Sequence, residues 1–99
     1  MTGKKLKPFG DKLLLREAEE EEQGVVIIGR EVLARVVAVG EGIPYGRGEF
    51  YAPVAKEGML VIVPRKVWDD PNLVNTLMWE GQKYVVVSER LCMAGVLDV

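Results

Sequence analysis

The sequence has no histidine and a single cysteine, Cys92, among its 99 residues. Without histidine there is no Ser-His-Asp or Cys-His catalysis and no imidazole ligand for a metal. One cysteine excludes an internal disulfide and a zinc site of clustered cysteines. No apolar run approaches 18 residues, which excludes a membrane-spanning helix. Composition therefore removes most of the chemistry known from small domains, and we expect neither an enzyme nor a bound cofactor or metal.

The charges are nearly balanced but unevenly placed. Thirteen basic and 15 acidic residues give a net charge of −2, so nothing attracts the whole chain to nucleic acid. Five of the acids fall within residues 17–22, and we interpret this run as a solvated surface, because it lacks the ligand spacing of a calcium loop. The basic first residues lead into no apolar region, so we expect no signal peptide and a cytoplasmic protein.

Short aliphatic runs between Gly, Pro and Asp predict an all-β domain. Valine and isoleucine supply 20 residues in such runs, a pattern that favours strands over helices. We predict one helical turn starting at residues 69–71. The predicted strands are 12–16, Val32–Val39, 59–63, 83–88 and 93–99, with a hairpin over 43–54 and a tight turn at Glu80-Gly81 that leads into 83–88. This number of strands in one 99-residue domain indicates a small β-barrel or sandwich.

Two features resemble catalytic motifs but lack necessary residues. The glycines at 24 and 29 have the spacing of a phosphate-binding loop, but Arg30 and Glu31 stand where that loop needs Lys and then Ser or Thr. Cys92 lies in an apolar run, which favours a buried, inert thiol over a nucleophile with an activating base.

Four large aliphatic residues in succession occupy positions 25–28, directly after the glutamate run. One interpretation is a strand buried on both faces. The flanking glycines and the repulsion among the glutamates support another, an apolar segment that becomes ordered when it binds a partner. The residues alone favour neither of these two interpretations.

Five pieces of the sequence, in order, resemble the ten-kilodalton co-chaperonins, the lids of the GroES type. The first runs from Leu6 through Pro8 and Asp11 to Arg16 and is similar to that family's opening signature. The others are the glycine and aliphatic triplet at 24–27, the strand and turn at 36–42, the hairpin with Gly48 near its tip, and the closing turn and strand at 80–89. The resemblance extends from about residue 6 to residue 99.

The resemblance implies one irregular β-barrel domain over residues 1–99, with a mobile loop at about 17–31 and a roof hairpin at about 41–55. It implies a homo-heptamer that caps a GroEL-type chaperonin ring around client proteins, with ATP bound by the chaperonin. The chaperonin-binding residues would be Gly24, Val25, Val26, Ile27, Ile28 and Gly29, here called the plug segment. The subunit interface would comprise Leu6, Lys7, Pro8, Ala94, Val96, Leu97 and Val99. Trp68 is a candidate for the dome lining, with packing as its alternative.

Several departures from the family pattern fit a divergent or virus-encoded member. The connection between Gly29 and the strand at Val32–Val39 is short, Phe9 replaces an aliphatic residue, and residues 64–79 form a longer segment. Two rivals are a nucleic-acid-binding barrel, which needs aromatic residues interleaved with basic ones, and the barrel-like domain of zinc alcohol dehydrogenases. The second requires the Cys and His that this chain lacks.

Overall fold

The strands of the protein form from its short aliphatic runs. The structure is a computed structural model, and it describes residues 5–18, 29–44, 50–51 and 53–96. The described elements, in chain order, are β1 (Lys12–Glu17), β2 (Val32–Val39), β3 (Ile43–Pro44), β4 (Phe50–Tyr51), β5 (Leu60–Val63), α1 (Arg65–Trp68), β6 (Val74–Trp79), β7 (Gln82–Ser88), a 3-10 helix (Glu89–Leu91) and β8 (Ala94–Val96). The all-β prediction is confirmed, and β2 has the predicted bounds.

Six of these strands form one antiparallel sheet in the order β6-β7-β1-β2-β5-β8, and β3 pairs with β4. Strand β1 lies inside the sheet, where Leu13 pairs with Val39 of β2 and with Val87 of β7. A bulge between Leu14 and Leu15 shifts the β1–β2 register. A bulge bends a strand and increases its twist, so it helps this short sheet to curve around its core.

The core lies on the inner face of the sheet. Leu13, Leu15, Val63 and Val87 are fully buried there, because alternate residues of a strand face the same side. The short helix α1 adds Val67 and Trp68 to the cluster.

The hairpin β6–β7 turns where the sequence predicted a tight turn. Glu80 (φ 49°) and Gly81 (φ 82°) both have positive φ and link the paired residues Trp79 and Gln82. Two positive φ values in a two-residue loop match the twist of the flanking strands.

The predicted helical turn starting at residues 69–71 is present only as one hydrogen-bonded turn, in which the Asp70 carbonyl accepts hydrogen bonds from the amides of Leu73 (3.0 Å) and Val74 (3.1 Å), and no helix continues from it. Helix α1 ends at Trp68, before that point, and residues 74–79 form strand β6. Asp70 precedes a proline, which disfavours helical backbone, and its side chain accepts a hydrogen bond from the Asn72 amide at 2.8 Å in a turn. Pairing of Val74 with Val87 then buries an apolar side chain, which a solvated helical turn would leave exposed.

Gly40 lies against the backbone of Gly10, because its amide donates to the Lys12 carbonyl at 3.0 Å and the Gly42 amide donates to the Gly10 carbonyl at 2.9 Å. A Cβ atom at position 40 would collide with the Gly10 carbonyl oxygen.

We expect Gly40→Ala to lower the free energy of unfolding by about 1–3 kcal/mol, since rigid backbone must move to admit the methyl group. Urea titration measures the loss. In the control Gly29→Ala, the three atoms nearest to the new Cβ belong to the movable carboxylate of Glu31. Equal stability of the two variants would contradict the assigned contact.

Candidate functional site

The plug segment lies mostly outside the described residues, which include only Gly29 of its six positions. The nearest described residues on its two sides, Ala18 before it and Arg30 after it, lie at the same end of the β1–β2 pair. Glu17 pairs with Ala34, and the Ala18 amide donates to the Leu33 carbonyl at 2.9 Å. On the returning side, Gly29 and Arg30 are exposed and lead into β2. The segment is therefore attached at both ends to one pair of strands.

The flank that returns to β2 is hydrogen-bonded to helix α1, an element that the sequence did not predict. The Arg65 side chain donates from Nε to the backbone carbonyl of Arg30 at 3.3 Å, and its Nη1 lies 3.8 Å from Asp69 Oδ1. Both contacts depend on helix α1, which the sequence did not predict.

The two predicted halves of the subunit interface lie in different parts of the chain. Strand β8 pairs with β5 through Ala94 and Ile62, and its other edge has no strand partner within residues 5–18, 29–44, 50–51 and 53–96. Ala94 is exposed and Val96 is half-buried, whereas Leu97 and Val99 lie outside the described residues.

The N-terminal half packs on β1 and β2. Pro8 is buried, Leu6 is half-buried, and Lys7 donates from Nζ to the Val39 carbonyl at 2.9 Å. Leu6 also borders a shallow cavity whose lining includes Leu14. Among the described residues, no hydrogen bond or strand pairing joins these residues to β8, so their role in an interface stays a prediction.

An apolar cavity of about 220 Å³ lies beside β8 and includes Cys92, Met93 and Gly95 in its lining. Cys92 is half-buried, and burial, with the nearby charge of Glu89, raises the pKa of its thiol to about 11. A thiol with this pKa is almost entirely protonated near neutral pH and is a poor nucleophile. The raised pKa agrees with the interpretation of an inert thiol, although Cys92 is half-buried rather than buried.

The stem of the predicted roof hairpin is present, with Ile43 paired to Tyr51. Residues 45–49, which include the predicted tip, lie outside the described part of the chain. Below β4, the carboxylate of Glu89 accepts hydrogen bonds from the amides of Val54 (3.1 Å) and Ala55 (2.6 Å). The carboxylate thereby ties the segment that follows the hairpin to the end of β7.

Trp68, the candidate for the dome lining, has only 5% of its surface exposed and packs in the core. A side chain so deeply buried presents almost no surface to an enclosed protein. The structure corrects that expectation in favour of the packing alternative.

Of the glutamate run, only the exposed Glu17 is described. No group of three His, Cys, Asp or Glu side chains that could hold a metal occurs among the described residues. In the same residues, no helix has the length and apolar character to cross a membrane.

A charged cluster at the start of β1 was also missed by sequence reasoning. Ser88 donates to Asp11 Oδ2 at 2.5 Å, Arg90 Nε lies 3.6 Å from the same oxygen, and Lys12 Nζ lies 3.8 Å from Oδ1. The Ser88 hydrogen bond and the two cations lower the pKa of Asp11, against the opposing effect of burial. The cluster links residues 77 positions apart, at the start of β1 and the end of β7.

Comparison with known proteins gives consistent matches over nearly the whole chain. Residues 5–96 match the family described as the chaperonin 10 kDa subunit. The chain is 44% identical to the co-chaperonin GroES of Streptococcus intermedius over 92 residues, which cover 85% of this chain and 90% of that protein. It is 34% identical to the co-chaperonin GroES of Limosilactobacillus reuteri over 92 residues (86% and 92%) and 32% identical to that of Ligilactobacillus salivarius over 100 residues (94% and 99%).

The lowered pKa of Asp11 predicts sensitivity to acid. Because the folded-state pKa lies below the unfolded value, the carboxylate stabilises the fold fully above about pH 4 and loses this effect as the pH falls through the lowered pKa. Ser88→Ala should raise the pKa of Asp11 and raise the pH at which acid unfolds the protein. Titration of the Asp11 carboxyl carbon by NMR measures the first effect and circular dichroism the second. Thr76→Ala, at an exposed hydroxyl on β6, is the control and should change neither.

Proposed function

The chain belongs to the chaperonin 10 kDa subunit family and functions as a co-chaperonin, and we propose how it does so. In this proposal it caps a GroEL-type chaperonin ring by inserting the plug segment of each subunit into an apolar groove of the chaperonin. The observation that carries the proposal is the match of residues 5–96 to the family, with the aliphatic run at 25–28 inside the matched region.

The plug segment has the composition for weak apolar binding. Each large aliphatic side chain that becomes fully buried contributes about 1.5–3 kcal/mol. Ordering the backbone costs about 1–2 kcal/mol per residue, which offsets much of that gain. A single segment therefore binds weakly, as suits a lid that must be released when the nucleotide state of the chaperonin changes.

Assembly into a ring supplies the missing affinity. We propose a homo-heptamer, in which seven tethered plug segments bind with an avidity that one segment lacks. The outer edge of β8 has no strand partner in the described part of the chain, which supports an interface there, because an exposed strand edge offers free amides and carbonyls to another chain. The N-terminal residues Leu6, Lys7 and Pro8 of the next subunit are the proposed partner.

The remaining parts of the proposal follow from capping. Client proteins fold inside the enclosed chamber, the ATP site belongs to the chaperonin, and this chain needs no cofactor and catalyses no reaction. The proposed location is the cytoplasm. The nucleic-acid-binding alternative gains no support, since the matched proteins are co-chaperonins and Trp68 is buried rather than presented for stacking.

Ile27→Asp should leave the ring intact and weaken capping by at least about a hundredfold, because a charge cannot enter an apolar groove without a large desolvation cost. Binding to a GroEL-type ring with ATP is measured by interferometry, and ring mass by native mass spectrometry. Met78→Asp places the same charge at another exposed apolar residue and is the control. Normal capping by Ile27→Asp would show that the plug is assigned to the wrong residues.

Ala94→Asp should convert the ring to monomers without unfolding them, because Ala94 is exposed in the single chain but buried in the proposed interface. Native mass spectrometry measures the assembly and circular dichroism the fold. Asn75→Asp, an exposed position on the edge strand β6 at the other side of the sheet, is the control and should remain assembled. An intact Ala94→Asp ring would place the interface elsewhere.

A further inference from the structure

Two departures of this chain from the family pattern meet at one place in the fold. The short connection after Gly29 leads into β2, and the longer segment after residue 64 begins with helix α1. Val32 pairs with Val63, so continuing the register by two residues on each strand brings Arg30 opposite Arg65. Pro64 has no amide hydrogen and cannot continue the ladder. The Arg65 side chain provides the next hydrogen bond between the two segments instead, because its Nε donates to the Arg30 carbonyl at 3.3 Å.

Arg65 is itself attached to a rigid part of the molecule. Val67 and Trp68 fix helix α1 to the core, with 7% and 5% of their surfaces exposed. Their amides both donate to the Pro64 carbonyl at 3.0 Å, which fixes the backbone on either side of Arg65. The backbone of Arg65 is therefore fixed by its attachment to the core.

The side chain is also oriented at its tip. Asp69, one helical turn later, lies 3.8 Å from Arg65 Nη1. A partly exposed ion pair of this kind adds little stability, but it limits the directions in which the guanidinium can point. Arg65, Asp69 and Arg30 all line the same open cavity beside the returning flank of the plug segment.

We propose that Arg65 is a positioning residue for the plug segment. By holding the Arg30 carbonyl, it fixes the backbone one residue after Gly29 before any partner is bound. Because only Arg30 and Glu31 separate Gly29 from β2, the place of Arg30 restricts where the plug segment can reach. Backbone that is ordered in the free protein need not be ordered again on binding, so a fixed flank strengthens the contact.

This inference rests on the proposed function. A single exposed hydrogen bond is expected to change the affinity of one segment by only about threefold. The effect multiplies when several segments of a ring bind together, and we expect a total of about tenfold or more.

The test compares four variants as assembled rings binding to a GroEL-type chaperonin with ATP. Arg65→Ala should weaken binding by about tenfold or more and speed amide hydrogen exchange in residues 29–32, with ring mass unchanged. Arg65→Lys keeps a donor and should recover part of both effects. Asp69→Asn keeps the hydrogen bond to Arg30 and should have a smaller effect than Arg65→Ala.

Lys66→Ala is the matched control, since Lys66 carries the same charge one residue later, is exposed, and has a side chain that makes no hydrogen bond or ion pair with another described residue. It should bind and exchange as the wild type does. Binding and exchange of Arg65→Ala at wild-type levels, or equal losses in Arg65→Ala and Lys66→Ala, would overturn the inference.

Ile27→Asp, measured in the same assay, separates this inference from the proposed function. If Ile27→Asp abolishes capping while Arg65→Ala leaves it unchanged, the function stands and the positioning role is wrong. If Ile27→Asp caps normally, the proposed plug is wrong, and the positioning role fails with it.

Discussion

The pairing of β1 with strands on both sides is the interaction on which the rest of the structure depends. Leu13 and Leu15 are fully buried, and the strand that carries them aligns β2 and β7 at once. Asp11, which directly precedes β1, accepts a hydrogen bond from Ser88 and so holds the end of β7. Its last residues lead to the plug segment and lie beside the strand to which the chain returns. One buried strand thus sets the relative position of the flanks that the proposed function requires.

The size of the domain explains why its edges matter. A chain of about 100 residues hides a smaller fraction of its surface than a larger one and has a limited core. In the described residues, the sheet ends at β6 on one side and at β8 on the other. The proposed pairing of β8 with a neighbouring subunit would add buried surface that the single chain cannot supply. The proposed ring is therefore a source of stability for each subunit as well as the means of joining several weak contacts.

Local sequence patterns were sufficient for most of the fold. Aliphatic runs predicted β2 with its observed bounds, and the Glu80-Gly81 pair predicted its turn, because each depends on neighbouring residues alone. They did not predict helix α1 or strand β6, and in β6 the pairing of Val74 with Val87 decides the conformation while no local signal reports that pairing. The contact from Arg65 to Arg30 spans 35 residues and depends on the β2–β5 register. The plug and interface residues came from family resemblance, and they remain predictions.

The thiol of Cys92 has a consequence of its own. It is the only sulfhydryl in the chain, it is half-buried beside β8, and its pKa of about 11 keeps it protonated. Alkylating reagents attack thiolates, so this sulfur reacts slowly while β8 stays in place. Cys92 and Gly95 of β8 line the same cavity, so we expect detachment of β8 from β5 to increase the exposure of the sulfur and to lower its pKa. The rate at which Cys92 is alkylated therefore measures how often β8 detaches from β5, and no added probe is needed.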